Sequence, residues 1–129
     1  MSPFPIVRRL TADQHDDVLI VRVVSSQMLD EQSDELRREF ATVIQEKGPK
    51  RVVLDLSQVA MISSVGVGVV ISLFRRVKEQ GGELVLCGLT RIVEQVFRLC
   101  RLVAGDEGEG VFQVYPCVDS AKAAVQSKI

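Results

Sequence analysis

The 129-residue sequence has few of the residues that most often build metal and redox sites. It contains one histidine, His15, and three cysteines, Cys87, Cys100 and Cys117, and no two of the cysteines form a CxxC pair. A zinc site draws on about four such ligands at short spacings, so we expect neither a metal nor a cofactor. The odd number of cysteines and the lack of an apolar leader favour a reducing cytoplasm, in which we expect all three thiols to be buried and reduced.

The sequence also lacks an excess of charge of either sign. Sixteen Lys and Arg residues stand against 17 Asp and Glu residues, which gives a formal net charge of -1. Attraction of nucleic acid by an overall basic field is therefore not expected. Two local basic clusters lie beside acidic residues on predicted helices, and we interpret them as solvated faces: Arg37 and Arg38, and Arg75, Arg76 and Lys78.

Charge is absent altogether from residues 56–74, and the rest of the chain is predicted to fold around this stretch. Its 19 residues are long enough to raise a membrane span, but serine and glutamine interrupt them, and a strand, a turn and a helix explain the pattern better. Apolar residues recur at helical spacings from Val65 to Val77, and Ser63 and Ser64 suit the turn because a serine hydroxyl can accept from free helical N–H groups. A plain core helix with a serine cap fits the same spacing.

Two glycines in the first turns of this predicted helix are not explained by local propensity. Gly66 and Gly68 each cost about 1 kcal/mol relative to alanine inside a helix. We expect them to let another backbone or a partner come close, and we expect Gly66→Val to weaken association while leaving the melting temperature little changed.

Apolar runs and helical spacings alternate along the remainder of the sequence. Strands are predicted at residues 6–10, 18–24, 51–56, 83–87 and 112–115. Helices are predicted at residues 30–47, from 64 to about 80, through residue 100 from a cap at Thr90, and through residue 125 from Asp119 or Ser120, with Asp30 as the first N-cap. Residues 11–17, with an exposed His15, and the acidic, glycine-rich residues 105–110 are predicted to be loops. This alternation predicts an α/β sheet that is at least partly parallel, in one domain.

Several predicted details depend on the apolar faces of these helices. The first helix has one apolar stripe, and Gly48 and Pro49 are expected to end it. The helix after Thr90 is expected to turn one face inward, formed by Ile92, Val93, Val96, Phe97 and Cys100. The buried core is expected to include Val53, Leu54, Val69, Leu73, Val85 and Phe97.

One segment carries a resemblance to a known family. Residues 52–102 contain a strand ending in LDLSQV, the turn ISSVGVG and the strand GGELVLCGL. In this order the segment resembles a STAS domain of the bacterial anti-sigma factor antagonist group, and the likeness extends over about residues 6–126. It implies a mixed sheet of four to five strands with about four surrounding helices, in a single domain over residues 1–129.

The resemblance also implies functional residues and partners. Aligned on Gly66 and Gly68, the phosphorylated serine of the family falls on Ser64, with Ser63 as the second candidate. The family aspartate falls on Ser63, and the following hydroxyl residue falls on Val65, so this turn departs from the pattern at both positions. The surface expected to bind an anti-sigma factor of the serine-kinase type consists of Ser63, Ser64, Val65, Gly66, Val67 and Gly68. A serine phosphatase is a further expected partner, and sigma-factor-dependent transcription is the process regulated.

Other function classes fit less well or remain open. A hydrolase elbow requires GxSxG, but Ile62 stands where the first glycine should precede Ser64, so we expect no catalytic residues. No lysine follows the glycines as in a phosphate-binding loop. An unswitched STAS module that acts as a scaffold, as in a stressosome-like complex, remains the alternative, because position 63 lacks the carboxylate.

Overall fold

The described part of the chain forms an α/β domain with seven strands and four helices. The structure is a computed structural model, and it describes residues 9–48, 50–100 and 112–126. In chain order, the elements are β1 (Leu10–His15), β2 (Val18–Val23), β3 (Gln27–Met28), α1 (Asp30–Lys47), β4 (Arg51–Asp55), β5 (Met61–Ile62), α2 (Ser64–Glu79), β6 (Glu83–Cys87), α3 (Arg91–Leu99), β7 (Val114–Tyr115) and α4 (Val118–Gln126).

The main sheet has five strands in the order β1-β2-β4-β6-β7. β1 runs antiparallel to β2, whereas β2, β4, β6 and β7 are mutually parallel. The short strands β3 and β5 form a separate parallel pair. This architecture confirms the predicted mixed sheet of four to five strands with four helices.

Helices cover both faces of the sheet, which explains why β2, β4 and β6 are apolar runs without a polar face. α1, α2 and α3 contribute to the larger core on one face, and α4 covers the opposite face, where Val18, Ile20, Val53 and Val85 point. All six residues predicted for the core are buried: Val53, Leu54, Val69, Leu73, Val85 and Phe97. Within the described ranges, no helix is both long and apolar enough to cross a membrane.

The first strand lies later in the sequence than predicted. Residues 11–15, expected to be a polar loop, belong to β1, and residues 6–8 of the predicted strand lie outside the described residues. β1 is an edge strand whose polar side chains face solvent. It forms through backbone pairing with β2, and the sequence of β1 contains no apolar run that would have predicted it. His15, at its end, is exposed as expected, and Asp16 turns the hairpin with a φ of 56°.

The N-cap of α1 and the start of α4 differ from the prediction. The N-cap of α1 is Leu29 and not Asp30, because the backbone of Leu29 is extended and Asp30 is already the first helical residue. The Leu29 N–H donates to Gln32 Oε1 at 3.0 Å, so a side chain in the first turn of the helix satisfies it. α4 begins at Val118, ahead of Asp119 and Ser120. At the other end of α1, Gly48 adopts the left-handed conformation and closes the helix as predicted. The expected loop at residues 105–110 and the terminator Pro49 lie outside the described residues.

Burial corrects two further expectations. Val93 and Phe97 of α3 are buried, but Ile92 is 59% exposed and Cys100 is exposed, because a helix of nine residues at the edge of the core turns only a narrow stripe inward. Of the three cysteines, Cys87 alone is buried, on a central strand, whereas Cys100 and Cys117 lie at helix ends in contact with solvent. No group of residues able to hold a metal occurs in the described ranges.

Candidate functional site

The start of α2 is held in place by a short pair of strands that the sequence did not predict. After β4, residues 56–60 lead to β5, which pairs with β3, so the chain does not pass directly from the buried strand into the helix. The Ser63 N–H donates to the Met28 carbonyl oxygen at 3.0 Å, just beyond this pairing. The first residue of the turn is therefore anchored to the segment that precedes α1.

Both hydrogen-bonding functions of the Ser63 hydroxyl are occupied within the domain. As the N-cap of α2, Ser63 Oγ accepts a hydrogen bond from the Gly66 N–H at 3.2 Å. The same hydroxyl donates to Asp30 Oδ1 at 2.8 Å. The side chain is partly buried, so Ser63 fulfils the capping role that its position predicted.

Ser64 presents the opposite situation. It is the first residue of α2 and is exposed, and its hydroxyl forms no hydrogen bond with any residue that the structure describes. The N–H groups of the first helical turn and the positive end of the helix dipole lie beside it. An anionic group attached to Ser64 would therefore meet a favourable local field and solvent.

Gly66 is explained by contact within the chain. A Cβ atom at this position would overlap the Met28 carbonyl oxygen and lie 2.9 Å from Ile62 Cγ1. The predicted approach of another backbone thus occurs, and the backbone is that of the segment before α1. The expectation that Gly66→Val would leave the melting temperature unchanged is wrong, because no space exists at this position for a side chain.

The remaining residues of the turn differ in accessibility. Val67 is buried in the core, whereas Val65 is 36% exposed. Gly68 is partly exposed, and the nearest described atom to a Cβ placed there would be Arg37 Nη2 of α1, at 3.9 Å. Of the six residues predicted to bind a partner, the structure therefore leaves four with access to solvent: Ser63, Ser64, Val65 and Gly68.

An ion pair between the buried Asp55 and the partly exposed Arg22 lies at the carboxyl edge of the main sheet, away from this turn. Asp55 Oδ2 accepts from Arg22 Nε at 2.7 Å, and Asp55 Oδ1 accepts from the Ser57 N–H at 2.9 Å. Burial raises the pKa of Asp55, but these hydrogen bonds and the charge of Arg22 outweigh burial, and the net shift of the pKa is downward. The only sequence signal was Arg22, the single charge in the run VLIVRVV.

The same row of the sheet contains the buried thiol. Register places Asp55 opposite Arg22 on one side and opposite Cys87 on the other. Burial raises the pKa of Cys87 to about 12, with a smaller contribution from the negative charge of Asp55. Both carboxylate oxygens of Asp55 accept hydrogen bonds within this cluster, and burial keeps the Cys87 thiol neutral, so we interpret the row as a structural feature.

Comparison with known proteins assigns the chain to one family. The sequence matches the STAS domain family over residues 9–121, which is most of its length. The chain belongs to the STAS domain family. The recognition made from LDLSQV, ISSVGVG and GGELVLCGL is therefore confirmed.

The relatives of this STAS domain are named as anti-sigma factor antagonists. It is 34% identical over 119 residues to a protein of Bordetella bronchiseptica named as the anti-sigma factor antagonist BtrV, covering 90% of each chain. It is 25% identical over 112 residues to an anti-sigma F factor antagonist of Paenibacillus polymyxa, covering 87% of each. In fold it resembles the crystal structure of an anti-sigma factor antagonist from Mycobacterium paratuberculosis, with a TM-score of 0.75, 24% identity, and coverage of 91% of this chain and 92% of that one.

Proposed function

We propose that this STAS domain is an anti-sigma factor antagonist that binds a serine-kinase type of anti-sigma factor and is released when Ser64 is phosphorylated. Binding of the anti-sigma factor would free a sigma factor for transcription, and a serine phosphatase would restore the binding form. The observation that carries the proposal is the hydroxyl of Ser64 at the first position of α2, which is exposed and forms no hydrogen bond with any described residue.

The two serines of the turn differ in a way that favours Ser64 as the acceptor. A kinase must take the proton from the hydroxyl and reach its oxygen from solvent. Ser63 Oγ already donates to Asp30 and accepts from the Gly66 N–H, so its modification would remove the cap of α2. The Ser64 hydroxyl is exposed and can be modified without the loss of a hydrogen bond to any described residue.

The position also explains how one phosphate could act as a switch without unfolding the domain. Phosphoserine carries a charge of about -1.5 to -2, and at a helix N-terminus the dipole contributes about 0.3–1 kcal/mol of stabilisation. A partner docked over the turn would meet this charge at close range. A clash of about 3 kcal/mol would lower the affinity roughly a hundredfold, since each 1.4 kcal/mol corresponds to a factor of ten.

The experiment begins with the capture of partners from the source bacterium by the unmodified domain and their identification by mass spectrometry. The recovered kinase-type anti-sigma factor is then purified, incubated with ATP and the domain, and the modified residue is mapped. We expect Ser64 to be labelled, Ser64→Ala to bind but to resist labelling, and Ser64→Asp to lose only part of the affinity, because it adds one charge where phosphate adds nearly two.

Ser63→Ala is the matched control, since it removes the neighbouring hydroxyl and leaves the acceptor in place. Full labelling of Ser64→Ala, or binding of Ser64→Asp as tight as that of the unmodified domain, would refute the assignment of Ser64. Binding without any phosphate incorporation would instead favour the unswitched scaffold, a reading supported by the serine at position 63 where the resembling family has a carboxylate.

A further inference from the structure

A groove on the outer side of the α1–α2 pair lies apart from the turn at Ser63 and Ser64. It encloses about 130 Å³ between the two helices. Its floor is apolar and consists of Phe40, Val69 and Leu73, all of them buried, while Ser72 lies on its α2 side. Arg37 of α1 and Arg76 of α2 line the same groove from opposite sides, and both are exposed.

We infer that this groove receives an acidic side chain from the anti-sigma factor and that the two guanidinium groups bind its carboxylate. The inference rests on the proposed function and adds a second site of contact with the anti-sigma factor. A guanidinium group matches a carboxylate through two parallel N–H donors, and such charge-assisted hydrogen bonds are stronger than neutral ones. The apolar floor excludes water from one side of the contact, which strengthens it further.

Among the residues that the structure describes, neither guanidinium group has a close ion-pair partner. The nearest described carboxylate to Arg37 is that of Asp34, at 4.0 Å, and the Asp34 side chain is 81% exposed, so this ion pair is loose. Arg76 forms no ion pair with any residue in the described ranges. By contrast, nearby Lys78 lies over the ring of Phe74, with Nζ 5.6 Å from the ring centroid.

The size of the groove decides what kind of occupant it can take. Sites for small molecules and cofactors usually enclose about 300–1,000 Å³. The 130 Å³ between α1 and α2 is well below that range and suits one side chain. Two positive groups at the mouth of such a small apolar groove select an aspartate or glutamate side chain over a neutral or basic one.

The groove is continuous with the surface at the start of α2. Residues at intervals of four lie on one side of a helix, and Ser64, Gly68, Ser72 and Arg76 form such a row. Gly68 faces Arg37, since a Cβ at this glycine would lie 3.9 Å from Arg37 Nη2. A partner docked over Ser64 and extending along α2 for about 18 Å would therefore reach the groove, since a helix rises about 1.5 Å per residue.

The chain offers a matched control for a charge-reversal test. The groove variant combines Arg37→Glu and Arg76→Glu, and the control combines Arg38→Glu and Arg75→Glu, which alters the same helices and the same net charge one residue away. All four arginines are exposed, so neither variant is expected to disturb the core. Binding of the purified anti-sigma factor from the previous experiment is measured by biolayer interferometry, and folding is checked by thermal unfolding.

We expect the groove variant to lose about a hundredfold in affinity, mainly through faster dissociation, and the control to lose less than about fivefold. Replacement of both groove arginines by lysine keeps the charge and supplies amines for carbodiimide cross-linking, so mass spectrometry can identify the partner carboxylate. Reversal of that carboxylate to arginine in the anti-sigma factor should restore binding to the groove variant.

Equal losses in the two variants would show a general charge effect and overturn the inference, as would wild-type affinity of a folded groove variant. Chemical shifts of Arg37 and Arg76 side chains that respond to inorganic phosphate but not to the anti-sigma factor would also overturn it.

The two proposals can fail separately. If Ser64 is not labelled but the groove variant binds weakly, the phosphorylation switch is refuted and the groove inference stands. If Ser64 is labelled and the groove variant binds normally, the groove alone fails, and if no anti-sigma factor is captured both fail.

Discussion

Ser63 Oγ lies 2.8 Å from Asp30 Oδ1, although the two residues are separated by 33 positions in the sequence. The contact ties the first residue of α1 to the N-cap of α2. In the anti-sigma factor antagonist group that residues 52–102 resemble, the position of Ser63 is usually an aspartate, and this chain has serine there. A carboxylate nevertheless stands beside the turn, supplied by the preceding helix.

This pair leads to a prediction about stability. Ser63→Ala should lower the free energy of unfolding by about 1–2 kcal/mol, because it removes the cap of α2 and the bond to Asp30 together. Asp30→Ala should cost less, since Asp30 is exposed and is not itself the N-cap. A double-mutant cycle by urea unfolding should give a coupling of about 0.5–1 kcal/mol, and a coupling of zero would contradict the contact.

The two glycines of α2 should respond in opposite directions to alanine. Gly66→Ala should destabilise the domain by about 1–3 kcal/mol or more, because its methyl group would overlap the Met28 carbonyl oxygen. Gly68→Ala should stabilise it by up to about 1 kcal/mol, since a methyl group there meets only an ordinary contact with Arg37. Urea unfolding of the two variants checks both signs, and a Gly66→Ala variant as stable as wild type would refute the close approach.

The Arg22–Asp55 pair should make the domain sensitive to acid. Because the pKa of Asp55 is lowered on folding, its carboxylate stabilises the native state above about pH 4, the unfolded value, and this contribution is lost as the pH falls further. Asp55→Asn should cost about 2 kcal/mol at neutral pH, and the difference from wild type should shrink below pH 4.

Chemical denaturation as a function of pH tests this prediction. Asp34→Asn serves as the control. Because the Asp34 side chain is 81% exposed, we expect this variant to lose no stability at neutral pH and to show no difference from wild type that changes with pH. A difference between wild type and Asp55→Asn that persists unchanged under acid conditions would show that the carboxylate charge does not contribute.

The three thiols should react at two distinct rates. Burial raises the pKa of Cys87 to about 12 and keeps the thiol away from solvent, so we expect Cys87 to react slowly with thiol reagents near pH 8. Cys100 and Cys117 are exposed and should react quickly with Ellman's reagent. Reaction of all three at one rate in the native state would contradict the burial of Cys87.

A substitution separates the two exposed thiols. A hydrogen bond with Ser120 lowers the pKa of Cys117, so Ser120→Ala should slow its labelling near neutral pH while leaving Cys100 unaffected. Mass spectrometry of the labelled peptides distinguishes the two sites.

The sequence by itself determined the family, the order of the main elements and most of the core. Runs of Val, Ile and Leu identify strands that are buried on both faces. Apolar residues at intervals of three and four after Ser64 identify the inward face of α2. Both patterns could be read from the sequence because they depend on residues close together in the chain. The serine cap of α2 was also local, since Ser63 and Gly66 are three residues apart.

Only the tertiary structure decided the features that depend on distant residues. β1 is polar and becomes a strand through pairing with β2, the use of Gly66 depends on the Met28 carbonyl, and the exposure of Cys100 and Ile92 depends on where α3 meets the core. The difference between Ser63 and Ser64 likewise arises from Asp30, and the groove from the packing of α1 on α2. The contacts of Gly66 with Met28, of Ser63 with Asp30 and of α1 with α2 join segments about 30 or more residues apart, so no local period or spacing records them. The pairing of β1 with β2 is closer in sequence, but the polar residues of β1 carry no strand period.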